Sequence, residues 1–102
     1  YKGISMSKKM RDENTDRLID GILTLKDREE AYLFFEDLCT VNEMLSLSQR
    51  FEVAGMLRRN YTYMDIAEKT GASTATISRV NRALNYGDGG YNTVLERVSS
   101  DL

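Results

Sequence analysis

The chain contains no histidine, no proline, no tryptophan and only one cysteine, and each shortage removes a class of function. Without histidine, and with Cys39 alone, there is no basis for a zinc cage, an intrachain disulfide framework or the commonest general base of enzyme catalysis. No metal site and no cofactor are expected. A solitary thiol suits a reducing compartment, where it serves as small apolar filler. No apolar run approaches the roughly 18 residues of a membrane span, and nothing near the start resembles a signal peptide. The cytoplasm is the expected location, with no membrane partner. Met6 offers a natural start, which would leave Tyr1 to Ser5 upstream of it.

What is present favours helices. Leu, Met, Glu, Lys, Arg and Ala are abundant, and no proline interrupts them, so the composition predicts an all-α fold with short connections. A length of 102 residues suggests one domain, able to bury roughly two-thirds of its unfolded surface and therefore helped by a partner chain. The net charge of −2 and pI near 5.1 argue against indiscriminate polyanion binding,. The charges nevertheless segregate. Between Asp27 and Glu43 six acids face one Arg28, whereas Arg50, Arg58, Arg59, Lys69, Arg79 and Arg82 outnumber Glu52, Asp65 and Glu68 further on.

Taken in order, residues 1–12 read as a flexible polar segment and 13–102 as a single helical domain. Leu18, Ile19, Ile22 and Leu23 form the stripe of a first helix running to about Leu25. Asp27 and Glu30 have capping spacing, and Ala31, Phe34, Phe35 and Leu38 then make the inward side of a second helix, with Tyr32 also read as core. Thr40 and Glu43 open a third, longer helix to about Arg59, with Met44, Leu47, Phe51, Ala54 and Leu57 at helical spacing. Ala54 and Gly55 allow another helix to approach closely. After a break at Asn60 and Tyr61, Thr62 caps the next helix. Asn85 to Gly90 is a glycine-rich loop without the lysine or flanking strand of a phosphate-binding loop, so it reads as a helix stop. Tyr91, Val94, Leu95 and Val98 complete a sixth helix.

The informative stretch is Tyr63 to Leu84, YMDIAEKTGASTATISRVNRAL. Ile66 and Ala67 lie on one side of a short helix, Gly71 can take the left-handed conformation of a tight turn, and Ala72 is small enough to tuck beneath it. Ser73 caps a second helix whose Ile77, Val80 and Leu84 face inward. Two helices joined by such a turn form a helix-turn-helix, spanning about residues 62–84. In its DNA-binding form the second helix enters the major groove. Ser73, Thr74, Ala75, Thr76, Ser78 and Arg79 are then the candidate base and phosphate contacts, because hydroxyls bond either group and Thr or Ala methyls can touch a thymine methyl. Lys69 and Arg82, with Arg58 and Arg59, are candidate phosphate or surface contacts. The competing reading is a plain helical hairpin with Ser and Thr acting only as caps.

The run from Thr40 to Tyr91, with AEKTGASTATISRVNRAL followed by NYGDGGY, resembles the Trp-repressor superfamily and most closely its YerC/YecD group. The resemblance covers about half the chain directly and the upstream helices more loosely. It implies a six-helix Trp-repressor-like fold with a central helix-turn-helix, in which the N-terminal helices of two chains interlock as a homodimer. It also implies double-stranded DNA as partner and a candidate effector pocket at Arg50, Arg79 and Thr40. Three departures argue against tryptophan as the effector. Val80 stands where the repressor has glycine, Asp37 replaces a pocket leucine, and Ala83 replaces a serine near the ligand's amino group. Met64 and Ala67 also replace basic residues of the first motif helix, which implies fewer phosphate contacts.

These readings favour a sequence-specific transcriptional regulator, a repressor by resemblance. A helical adaptor using the same surface to bind protein is the alternative. An enzyme is the remote third reading, since Asp27, Glu29, Glu30, Glu36 and Asp37 form a solvated face with no nucleophile, metal ligand or cofactor loop beside them.

Overall fold

A computed structural model describes residues 11–99, which contain six α-helices and no strand. The helices are α1 Glu13–Ile22, α2 Arg28–Leu38, α3 Val41–Arg58, α4 Tyr63–Thr70, α5 Thr74–Tyr86 and α6 Gly90–Ser99. Most of the segment expected to be flexible, residues 1–10, and the last residues of the expected domain, 100–102, lie outside the described residues. The described residues fall into two compact units, one ending at Val41 and the other beginning at Asn42.

In the first unit, short acidic side chains mark where the helices start. Asp12 caps α1 by accepting the Thr15 backbone N–H at 2.8 Å. That bond, aided by the Thr15 hydroxyl, holds the Asp12 carboxyl below its ordinary pKa,. Asp27 caps α2 by accepting from the Glu30 N–H at 2.9 Å, and Glu30 Oε1 reaches back to the Lys26 N–H at 2.9 Å. Asp27 thus satisfies a backbone donor that the helix start leaves unpaired, and Glu30 ties down the residue before the cap,. At its other end α1 stops at Ile22 rather than near Leu25, because Thr24 and Leu25 donate to Gly21 and Ile22 in tighter three-residue turns,. The Phe34 and Phe35 rings meet edge to face at 5.4 Å. Neither helix buries a side chain, however, and the ring expected in the core at Tyr32 is 54 % exposed. Cys39, expected as filler, is half-buried.

The core lies in the second unit. It joins Val53, Ala54 and Met56 of α3, Ile66 of α4, Ala72 of the turn, Ile77 and Val80 of α5, and Leu95 of α6. Of the expected α3 stripe only Ala54 is fully buried, while Leu47 and Phe51 stay largely exposed. Burial concentrates at Val53 to Met56, where α4, α5 and α6 supply the enclosing surfaces. The helix then ends in a left-handed cap at Asn60, φ 66°, with the Tyr61 N–H donating to Met56 O and the Asn60 N–H to Leu57 O,. Helix α6 is tied down by polar bonds as well as by Leu95. Arg58 donates to the Asn92 carbonyl at 3.0 Å and pairs with Glu96 at 3.4 Å, and the Asn92 amide donates to Leu84 O at 3.2 Å.

Two glycines of this unit differ in what they require. Gly71 sits at φ 75° with open space around the position of a Cβ, so a side chain there meets backbone strain alone. Gly55 lies inside α3 with normal helical geometry, and a Cβ would meet Leu95 and Arg59 at 3.7 Å, ordinary contact. The close approach of α6 therefore leaves room for a methyl. Gly71→Ala should lower unfolding free energy by about 1–2 kcal/mol, and Gly55→Ala should raise it by about 0.5–1 kcal/mol. Urea denaturation of the two variants checks this, with midpoints expected to move in opposite directions.

Candidate nucleic-acid interface

Helices α4 and α5 pack on each other through a turn of three residues, Gly71 to Ser73. Local chemistry fixes both ends. Thr62 opens α4 by accepting the Asp65 N–H at 3.1 Å, and Ser73 opens α5 by accepting the Thr76 N–H at 3.1 Å. Between them the Gly71 N–H donates to Ala67 O at 2.8 Å, and the left-handed Gly71 turns the chain. The Thr70 hydroxyl bridges the turn by donating to Ile66 O at 2.7 Å and accepting the Ala72 N–H at 3.1 Å. Ala72 is buried beneath it.

This arrangement sorts the candidate residues. Ile77 and Val80 are buried and Leu84 packs against the core, so the opposite side of α5 turns outward. Thr74, Ala75, Arg79 and Arg82 are exposed, and Ser78 is half-buried. Helical spacing puts Thr74 and Ser78 on one line and Ala75, Arg79 and Arg82 on an adjoining one. Ser73 and Thr76 differ from the rest, since the Ser73 hydroxyl donates to the Thr76 hydroxyl at 3.1 Å while also serving as the cap. Their polar atoms are engaged in starting the helix. Lys69 is exposed in the last turn of α4. None of Lys69, Arg79 and Arg82 has a hydrogen-bond or ion-pair partner among the described residues.

The other two candidate cations are already occupied. Arg58 holds α6 through Asn92 and Glu96, and the Arg59 guanidinium lies 5.6 Å from the centre of the Tyr61 ring. On the first motif helix Met64 is 80 % exposed and Ala67 half-buried, so that helix presents a thioether outward. Of the candidate effector residues, Arg50 is half-buried on α3 and Arg79 exposed on α5, while Thr40 is exposed just before α3. Val80 is only 2 % exposed, so its branched side chain is part of the packed core. One residue that the sequence reading passed over is Gln49, whose amide donates to the Thr70 carbonyl at 3.1 Å. The sequence carried no signal for it, since Gln49 lies off the stripe of Met44, Leu47 and Phe51, on the side of α3 that bears Val53 and Met56,.

A glycine-hinged helix pair, capped at both starts and bearing unengaged hydroxyls and guanidiniums on one outward side, defines a helix-turn-helix protein. The profile of the Trp repressor protein family matches residues 13–99, and the chain belongs to that family. It is 59 % identical over 90 residues to the Bacillus subtilis (strain 168) protein YerC, itself uncharacterised, covering 88 % of this chain and 86 % of YerC. The fold is similar to the crystal structure of a TrpR-like protein from Eubacterium eligens ATCC 27750, with a TM-score of 0.86 and 65 % identity over 90 % of this chain and 95 % of that one. A crystal structure from Staphylococcus aureus matches at TM-score 0.89 with 52 % identity, covering 94 % of this chain and 96 % of that one.

Proposed function

We propose that this protein is a sequence-specific DNA-binding transcriptional regulator of the cytoplasm, acting as a homodimer on a two-fold symmetric operator. The observation that carries the reading is the outward side of α5. Its Thr74, Ala75, Ser78, Arg79 and Arg82 stand beside a turn in which the Thr70 and Ser73 hydroxyls and the Gly71 and Ala72 N–H groups are engaged internally. In a groove, Thr74 and Ser78 offer hydroxyls and Thr74 and Ala75 offer methyls, while Arg79, Arg82 and Lys69 reach a base edge or a phosphate. The work is binding rather than catalysis. A carboxylate at Thr74 would face the phosphate charge of the duplex, so Thr74→Asp should abolish operator binding with the circular-dichroism spectrum unchanged. Unaltered affinity for a duplex selected from a random pool would remove α5 from the interface.

The dimer reading rests on the first unit. Leu18, Ile19, Leu33 and Leu38 are exposed and Leu23 is 76 % exposed, so two helices carry apolar stripes with no buried side chain. A second copy would cover such stripes and place two α5 helices about 34 Å apart, one turn of DNA. Sedimentation equilibrium should give twice the chain mass, and Leu18→Asp combined with Leu23→Asp should destroy the dimer. A wild-type monomer at micromolar concentration would overturn this assignment.

Tryptophan is not the proposed effector. Val80 fills its place in the core, and opening it for an indole would break packing between α3 and α5,. Calorimetry with L-tryptophan should show no heat of binding, and a micromolar dissociation constant would contradict the reading.

The exposed Met64, beside Tyr63, favours a second reading, in which the same helix pair is an adaptor for a protein partner. Salt separates the two. A DNA reader is retained on random duplex or heparin and released by salt, with log K falling by about 0.9 per decade for each phosphate neutralised. An adaptor passes through.

A further inference from the structure

We propose that Gln49, on α3, is a positioning residue for DNA reading: its side-chain amide grips the last residue of α4 and thereby sets the orientation of α5. The inference rests on the DNA-reading assignment above and adds a residue that does not itself touch the duplex. Gln49 Nε2 donates to the Thr70 carbonyl at 3.1 Å across 21 positions of sequence, in half-buried surroundings. Thr70 is also where the bonds of the turn converge, since its hydroxyl engages both Ile66 O and the Ala72 N–H. Its carbonyl is one of those a helix end leaves without an intrahelical donor. In a half-buried position such a group needs a partner, and α3 supplies it.

The chemistry of this bond differs from that of the packing around it. Val53, Ala54 and Met56 share the core with Ile66, Ile77 and Val80 through apolar contact, whose attraction is non-directional,. A hydrogen bond to a carbonyl weakens steeply off its axis, so it fixes direction as well as distance. Base-edge reading needs side chains held to within about 0.5 Å and 10–20°. Gln49 therefore adds a directional constraint to the packing that already holds the motif,. Its amide is neutral and is spent on the main chain, so it adds nothing to phosphate neutralisation.

Gln49→Met keeps the unbranched shape and removes the donor. Full-length wild type and variant are titrated, across a salt series, with a duplex selected from a random pool and with random duplex. Affinity for the selected duplex should fall about five- to tenfold, the factor a single hydrogen bond is worth. Affinity for random duplex and both salt slopes should be unchanged. In parallel, amide hydrogen exchange should accelerate at Gly71 and Ala72 and stay slow at Ile77 in the core. Equal losses on both duplexes would mark general destabilisation and overturn the positioning role, as would undiminished affinity for the selected duplex. If the wild type binds no duplex, the DNA reading fails by itself. Exchange at Gly71 and Ala72 still decides then whether Gln49 holds the turn: acceleration supports the grip, and unchanged rates overturn it.

Discussion

The structure of the second unit depends on the sharp reversal between Thr70 and Ser73. A left-handed backbone at Gly71, a hydroxyl that bridges two sides of the bend and a methyl small enough to be buried at Ala72 must coincide there. Relaxing any of them would move α5, because the helix begins only two residues after Ala72. Once the bend is made, Ile66 and Ile77 are brought onto the same core as Val53 and Met56, and the apolar contacts reinforce the angle that the backbone has chosen. Local and tertiary preferences agree, which is the condition for a single well-defined arrangement.

The polar groups divide along the same line. Two cations at the end of α3 are engaged: Arg58 with Asn92 and Glu96, and Arg59 against Tyr61. On the outward side of α5 the Arg79 and Arg82 guanidiniums have no partner among the described residues. In a chain of net charge −2 this places positive charge locally rather than generally, and on the proposed reading it makes recognition depend more on fit than on attraction to any polyanion. In the first unit three acids, Asp12, Asp27 and Glu30, bond backbone N–H groups at the starts of α1 and α2.

Element types were largely legible in the sequence because they follow from neighbours along the chain. Asp27, Thr62 and Ser73 announce helix starts by their own short acceptors, and Gly71 announces the turn by the conformation it alone takes cheaply. The inward positions Ile77 and Val80 followed from helical spacing, and so did the outward Thr74, Ala75, Arg79 and Arg82. Family membership was legible as well, since it resides in a contiguous run of residues. Less legible was which apolar stripes become core. Periodicity marked Leu47, Phe51, Phe34 and Phe35 as strongly as Ala54, yet only Ala54 among them is enclosed.

By itself, then, the sequence determined the order of the helices, the caps at Asp27, Thr62 and Ser73, the glycine hinge and the outward row on α5, all of which are set by interactions spanning a few residues. Only the tertiary structure decided that burial gathers at Val53 to Met56, that Arg58 serves α6, that the Ser73 and Thr76 hydroxyls are joined, and that Gln49 reaches Thr70. For burial and for the long-range pairings, the deciding surfaces or partners lie on other helices. Whether a side chain is enclosed, or finds a donor 21 positions away, depends on which helices meet, and periodicity along one helix does not encode that.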